Sequence, residues 1–340
     1  MSENKKPTMK DVARLADVSV QTVSTIINGR PGISEETTFR VQKAIKDLGY
    51  RPFSVARSLR TRETKTIALV VSDIANPSFA TMASAAEDYA HKAGYSLVLY
   101  NTHDDTDREA NYMRTAIERW VDGVVFVSAK DQMASLVALQ AAGIPSVAVD
   151  RIPEGYEGYS VTLDNVEAGR LAAEHLLDLG HTCIAHISGP LELRLSRERL
   201  VGFRNAIEAR GYQSGPCIEN QQGNWVCSSG YSAMKKLLLQ REGLTAVFAA
   251  NDRMAIGAMQ AIYEAGLRIP EDISVVGLDD IEVAAFQIPP LTTVRQSFAQ
   301  LATLGVQLLS DILAGKEIEQ EMRIIKPELI IRKSTCPTLN

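Results

Sequence analysis

TMKDVARLADVSVQTVSTIINGR, residues 8–30, decides how the rest of the chain is read. The valines, isoleucines and threonines of its second half favour a strand by composition. The polar residues Ser19, Gln21, Thr22, Ser24 and Thr25 do not alternate strictly, whereas Val23, Ile26 and Ile27 recur at helical spacing. Thr8 with Asp11 three residues on is a helix start, and Val12, Leu15 and Ala16 give that helix one apolar face ending near Asp17. Ser19 can cap a second helix running to Asn28, which Gly29 terminates. A third begins at Ser34, has Glu35 and Glu36 at its positive end, buries Val41, Ala44, Ile45 and Leu48, and ends at Gly49.

Two short helices joined by a tight turn and followed by a third make a helix-turn-helix unit. The outward face of the second helix is small and polar, as entry into a DNA major groove requires. Gln21 suits a bidentate pair with adenine, Val20 and Thr22 suit thymine methyls, and Ser19, Thr25, Asn28 and Arg30 suit phosphates. The competing reading of these residues is a three-helix protein-interaction domain.

Charge follows the same division. The chain has 340 residues and a net charge of −5, yet residues 1–62 hold 12 Lys and Arg against 6 Asp and Glu. A head of +6 on a body of −11 directs a polyanion to the head alone. The start MSENKKPTMKD lacks a secretory apolar core, and no apolar run approaches a membrane span, so a cytoplasmic protein with no membrane partner is expected. Cys183, Cys217, Cys227 and Cys336 have no metal-ligand spacing and read as reduced thiols.

From Thr66 the pattern becomes β-branched runs separated by amphipathic stretches: TIALVV, SLVLYN, GVVFVS and SVAVD within 66–150, then IAHIS, AVFAA and SVVGLD within 184–279. Strands separated by helices imply parallel sheets with right-handed crossovers, here grouped as two α/β lobes around a cleft. Connections near Leu163–Val166, Thr292–Ser297 and Ile325–Glu328 are placed to cross between the lobes.

The run from Thr8 to Pro52 closely resembles, without a gap, the DNA-binding head of the LacI/GalR family of bacterial transcription repressors. It carries D-V-A in the first helix, V-S-x-x-T-V-S at the second and G-Y-x-P after the third. NDRMAIGAMQAIYEAGLRIPEDISVVGLDD, IPPLTTVRQSF, the G-H-x-x-I-A-H-I-S-G of residues 180–189 and the R-x-x-G-F of Arg199–Phe203 extend the resemblance to about Arg332. The body's layout resembles periplasmic sugar-binding proteins. The resemblance implies a helix-turn-helix domain at 1–52, a hinge helix and linker at 53–65, and a two-lobed effector-binding and dimerisation domain at 66–340. Val55–Leu59 matches the family's hinge helix, whose leucine, here Leu59, enters the minor groove at the centre of the site. Two such helices imply a homodimer on a palindromic operator. The expected DNA-contacting set is Thr8, Ser19, Val20, Gln21, Thr22, Ser24, Thr25, Asn28, Arg30, Tyr50, Ala56, Ser58, Leu59 and Arg60.

Ligands in such folds bind outside the carboxyl ends of strands. Asp150, Asn251 and Asp279 lie there, with Asn76 and Phe79 after the first strand, Asp164 and Gln296 at crossings, Arg199 at a helix start and Trp225 in a loop. The family alignment puts Asp150, Arg199, Trp225, Asn251, Asp279 and Gln296 along an effector cleft. Amides, carboxylates and a guanidinium serve sugar hydroxyls, and an indole stacks on a sugar ring. Each has a plainer reading: Asp150 and Asp279 as turn caps, Trp225 as a core aromatic, Arg199 as an ion-pair partner, Asp252 as a helix cap. Leu193-Arg194-Leu195 departs from the polar residues of purine-type relatives, which favours a carbohydrate. The two carboxylates weigh against a phosphorylated ligand unless Arg199 and a neighbouring amide offset them. His181 and His186 read as structural, and Asp104, Asp105 and Asp107 as a helix cap. No nucleophile–base set, cofactor loop or metal motif stands out, so no enzyme activity and no cofactor are expected. The competing function is a sugar-binding or transport protein without DNA binding, which the body fits and the basic head does not.

Overall fold

A computed structural model of the chain describes residues 7–27, 31–50, 63–211, 225–240, 243–319 and 321–338. Asn28, Arg30 and the linker positions Ala56, Ser58, Leu59 and Arg60 lie outside the described residues. The chain divides into two compact units, Met1–Thr64 and Lys65–Asn340.

The first unit holds α1 (Met9–Leu15), α2 (Val20–Ile27) and α3 (Glu35–Leu48). The Asp11 carboxylate accepts the Thr8 N–H at 2.9 Å and its hydroxyl at 2.7 Å, tying down the α1 start. The turn to α2 passes through Asp17 at φ 52°, and Ser19 Oγ accepts the Thr22 N–H at 3.0 Å. Ser34 caps α3 through the Thr37 N–H, and Gly49 ends it at φ 59°. Val12, Ala13, Ala16, Val23, Val41, Ala44 and Tyr50 form the core. One expectation changes. Leu15 is 54% exposed, and Ala13 takes its place, because the buried stripe runs through Met9, Val12, Ala13 and Ala16 at i, i+3, i+4 and i+7. Tyr50, expected at the DNA, is 7% exposed and belongs to this core as well.

In the second unit the first sheet contains β1 (Thr66–Val71), β2 (Ser96–Asn101), β3 (Gly123–Phe126), β4 (Ser146–Val149), β5 (Ser160–Leu163) and β10 (Met322–Ile325), in the order β10-β5-β4-β3-β1-β2, all parallel. The second contains β6 (Ile184–Ile187), β7 (Ala246–Ala249), β8 (Ser274–Asp279), β9 (Thr292–Arg295) and β11 (Glu328–Ile330), in the order β11-β9-β8-β7-β6. Only β11 runs antiparallel, against β9. The central strands are buried on both faces and read as continuous apolar runs, as parallel sheets dictate. The seven sequence-read strands are present. The added β5, β9, β10 and β11 are short and interrupted by polar residues (Thr162, Thr292 and Thr293, Arg323, Glu328), so no apolar run marks them.

Helices α4 (Pro77–Lys92), α5 (Thr106–Glu118), α6 (Ala134–Ala141) and α11 (Phe298–Leu313) cover the first sheet. Helices α7 (Asn165–Asp178), α8 (Arg194–Ala209), α9 (Cys227–Gln240) and α10 (Asp252–Glu264) cover the second. The chain passes between the sheets three times: from β5 into α7 at Asp164, from β9 into α11 at Gln296–Ser297, and from β10 to β11 at Lys326–Pro327. Helices α7 and α8 pack backbone to backbone. A Cβ on Gly169 would lie 2.0 Å from the Arg199 carbonyl, and one on Gly202 would lie 1.8 Å from that of Val166. This contact sets the position of the helix that carries Arg199.

Candidate functional site

The carboxyl ends of the strands from both lobes meet around a cavity of ≈ 280 Å³, walled by Asn76, Phe79, Asp150, Arg151, Leu195, Arg199, Trp225, Asn251, Asp279 and Phe298. Asp150 follows β4, Asp279 ends β8, and Asn251 and Asn76 cap α10 and α4. Asp150, Trp225 and Asp279 hold φ of 64°, 58° and 123°, a conformation that surrounding structure must impose on residues other than glycine.

Arg199 organises the cavity. It is 3% exposed; its Nε donates to Asn165 Oδ1 at 2.9 Å, Nη1 to the Ala250 carbonyl at 2.8 Å, and Nη2 to Gln296 Oε1 at 2.9 Å. Three of its five N–H groups are thus committed, leaving two for a ligand. Gln296 passes the connection on, its Nε2 donating to Asp150 Oδ1. Ser78 Oγ in α4 donates to Asp279 Oδ2 at 3.4 Å, from one lobe to the other. Burial pushes the Asp150 and Asp279 carboxyls up and the Arg199 guanidinium down; in each case the opposite charges within the cluster oppose the shift. Arg151, 5% exposed, adds a second cation, with its guanidinium 5.5 Å from the Phe79 ring and 6.0 Å from that of Trp225. The cluster is charge-balanced, with two carboxylates and two guanidiniums.

The walls are aromatic. Phe79 and Phe298 meet edge to face with centroids 5.8 Å apart. Arg199 lies 5.8 Å from the Trp225 ring, which rests against Gly189, where a Cβ would come within 2.0 Å of it. Asn251 Nδ2 donates to the Trp225 carbonyl at 3.2 Å, holding the loop. Trp225 Nε1 is buried without a hydrogen-bond partner among the described residues, a donor that a ligand acceptor would satisfy. Fixed donors and acceptors beside apolar rings suit a neutral, polyhydroxylated molecule.

Of the nine expected effector residues, seven wall this cavity. Gln296, 2% exposed, stands behind it as the link between Arg199 and Asp150. Asp164 does not line it: its Oδ1 accepts the Glu167 N–H at 3.0 Å, and it faces a neighbouring chamber. Leu195, read in the sequence as part of the apolar departure from purine-type relatives, also walls the Arg199 cavity; Arg151 and Phe298 were not singled out, although Phe298 ends the motif IPPLTTVRQSF and Arg151 directly follows Asp150. Asp105 caps α5 through the Asp107 and Arg108 N–H groups. His186 packs against both Phe203 and Phe248, which also touch each other, and burial lowers its pKa to about 4.

Asp252, expected to cap a helix, does something else. Asn251 is the cap, and Asp252 reaches across to accept the Thr293 hydroxyl at 2.6 Å and the Ile281 N–H at 2.9 Å, fixing the turn after Asp279. Burial pushes its carboxyl up to about 7, against the lowering effect of those two donors. The folded value therefore lies above the unfolded one. The folded state keeps a proton that the unfolded state releases, so this contribution is complete below about pH 4, declines as pH rises to about 7, and is lost above. Asp252→Asn should flatten the fall of Tm between pH 4 and 7 and exceed the parent at pH 8 by up to a few kcal/mol. Parallel Tm–pH curves for the two proteins would refute this.

In the first unit, α2 turns Val20 (41% exposed) and Gln21 outward, with Ser24 and Thr25 half-buried. Ser19 and Thr22 share a hydroxyl–hydroxyl contact of 2.9 Å. Thr8 is exposed, its hydroxyl committed to Asp11.

Comparison with known proteins bears on both units. Residues 8–52 match the model of bacterial regulatory proteins of the lacI family, and residues 173–335 match the periplasmic binding protein-like domain. The chain is 37% identical to an HTH-type transcriptional repressor PurR of Aliivibrio salmonicida (strain LFI1238), over 96% of this chain and 98% of that protein. It is likewise 37% identical to the ribose operon repressor of Escherichia coli (strain K12), over 96% and 99%. Among solved structures, the lac repressor dimer bound to operator and the anti-inducer ONPF aligns with a TM-score of 0.89 at 31% identity, over 98% of this chain and all of that one. The complex of the transcriptional regulator CelR with cellobiose aligns with a TM-score of 0.75 at 33% identity, over 96% and 99%.

Proposed function

Because the chain belongs to the LacI family of bacterial regulatory proteins, and is a ligand-responsive transcriptional repressor, we propose that it grips a palindromic operator as a homodimer and that a neutral sugar in the Arg199 cavity sets that grip. Residues 1–52 serve as the DNA-binding domain, 53–65 as hinge and linker, and 66–340 as the effector domain. Gln21, Val20 and Thr22 read base edges, Ser19, Ser24, Thr25 and Thr8 lie near phosphates, and Leu59 wedges the minor groove at the operator centre. No helix among the described residues is long and apolar enough to cross a membrane, which is compatible with work on DNA in the cytoplasm.

The effector role is supported above all by the charge-balanced cluster around Arg199, whose guanidinium reaches Asp150 of one lobe through Gln296 and attracts Asp279 of the other by charge alone. The lobes are also tied at their rims. Arg197 pairs with Asp131 at 3.0 Å and Glu154 at 2.9 Å, and Arg253 lies 3.6 Å from Asp73. These partly exposed pairs are weak, so the buried cluster decides how firmly the lobes close. A sugar that completes the cluster favours one lobe arrangement and shifts DNA affinity by its differential affinity for the two, and no further.

The test is a thermal-shift screen of the full chain against neutral sugars, then gel shifts on palindromic and scrambled duplexes with each hit. At least one sugar should raise Tm and alter affinity for the palindrome alone. A protein that binds both duplexes equally, with and without every sugar, would refute the proposal.

A further inference from the structure

A second empty space lies beside the Arg199 cluster. A chamber of ≈ 590 Å³ opens where the chain first crosses between the lobes, and it shares two walls, Asp150 and Leu195, with the inner cavity. The chamber encloses about twice the empty space of the inner cavity, ≈ 590 Å³ against ≈ 280 Å³. The shared Asp150 is 6% exposed, and only its Oδ1 is engaged, by Gln296; Oδ2 accepts no hydrogen bond among the described residues. A buried charged acceptor with spare capacity thus stands at the junction of the two spaces.

The chamber's lining is chemically mixed. Asp164 and Glu198 present carboxylates, with Asn165 and Thr162 beside them. Arg194 holds Glu198 through Nε at 2.6 Å. Ile152 and Ile324 supply aliphatic surface, and the chamber has no aromatic wall. With Asp150, three carboxylates face one guanidinium, an environment hostile to a phosphate or carboxylate and hospitable to hydroxyl donors. A pyranose or furanose ring carries both hydroxyls and apolar C–H faces, and matches such a lining.

We propose that this chamber is a second sugar subsite and that the effector is a disaccharide, with one ring inside the Arg199 cluster and the other against Asp164 and Glu198, linked past Asp150 and Leu195. The proposal rests on the sugar-effector reading above. It gives Asp164 a place in recognition that the inner cavity does not.

The experiment is calorimetric titration of the full chain with cellobiose, maltose, sucrose and trehalose, and with glucose, fructose, galactose and ribose. At least one disaccharide should bind ten-fold or more tightly than either of its constituent monosaccharides. Ile324→Trp fills the chamber from a side chain that is 57% exposed, so the fold tolerates it. That variant should lose at least ten-fold in disaccharide affinity and keep monosaccharide affinity within two-fold; Val166→Trp, from a 39% exposed position on the same wall, should repeat the pattern. A monosaccharide that binds as tightly as every disaccharide containing it, with both tryptophan variants unchanged, would mean that the chamber holds water only, and would overturn this proposal while leaving the sugar-effector reading intact. Binding by none of the eight sugars would overturn both.

Discussion

Arg199→Ala should abolish the thermal shift produced by the effector while leaving the palindromic duplex bound. A ligand at a hundred times its Kd stabilises the folded protein by about 2.7 kcal/mol, a shift that is read directly as Tm. Arg199 holds Gln296, Asn165 and the Ala250 carbonyl in place and offers the cavity its two remaining N–H groups. Removing it strips the cation from between two buried carboxylates and leaves three acceptors unpaired. The cost of breaking such a buried arrangement is roughly 3–5 kcal/mol, a large share of a domain's total stability. The variant should therefore melt earlier, and the ligand response must be measured against its own baseline. Arg199→Lys separates charge from geometry. An ammonium keeps the cation but cannot serve Asn165, Ala250 and Gln296 together, so stability should recover in part while the response stays weak. A full ligand shift in Arg199→Ala at the wild-type ligand concentration would show that the site is elsewhere.

Gln21→Ala should weaken operator binding ten- to hundred-fold, and the loss should vanish on an operator whose contacted adenine is replaced. A bidentate Gln–adenine pair discriminates by about 1–3 kcal/mol. Gln21 lies exposed on α2, and its side chain makes no hydrogen bond among the described residues, so truncation leaves the head's core of Val12, Val23 and Val41 untouched. Because glutamine is neutral, the dependence of affinity on salt should keep its slope. Effector binding by the 65–340 unit should be unaltered. Equal affinity of both proteins for the operator would remove Gln21 from the recognition surface.

The head was legible because its information is local. A cap at Ser19, a terminator at Gly49 and the stripe Val41, Ala44, Ile45, Leu48 each lie within a few residues of what they determine. The miss at Leu15 shows where such reading stops. Ala13 and Leu15 lie on opposite sides of the Val12–Ala16 line of α1, and only the docking of α2 and α3 chooses between them. Tyr50 is similar: a tyrosine after a helix can meet solvent or core, and here three helices enclose it.

In the body, buried parallel strands announce themselves as apolar runs, and so do their carboxyl ends, which is why Asp150, Asn251 and Asp279 could be named from spacing. Strands β5, β9, β10 and β11 could not, because three or four residues broken by polar side chains become a strand only when a distant partner supplies the hydrogen bonds. Met322–Ile325 needs Ser160–Leu163, some 160 positions earlier. The same holds for the site. The sequence by itself determined which residue types stand at the strand ends and that the head is basic. The tertiary structure alone decided that Gln296 bridges Arg199 to Asp150, that Arg151 and Phe298 close the cavity, and that Asp164 faces a second chamber. Periodicity and capping act over one turn of chain, whereas a cleft is made by segments that only long-range pairing brings together.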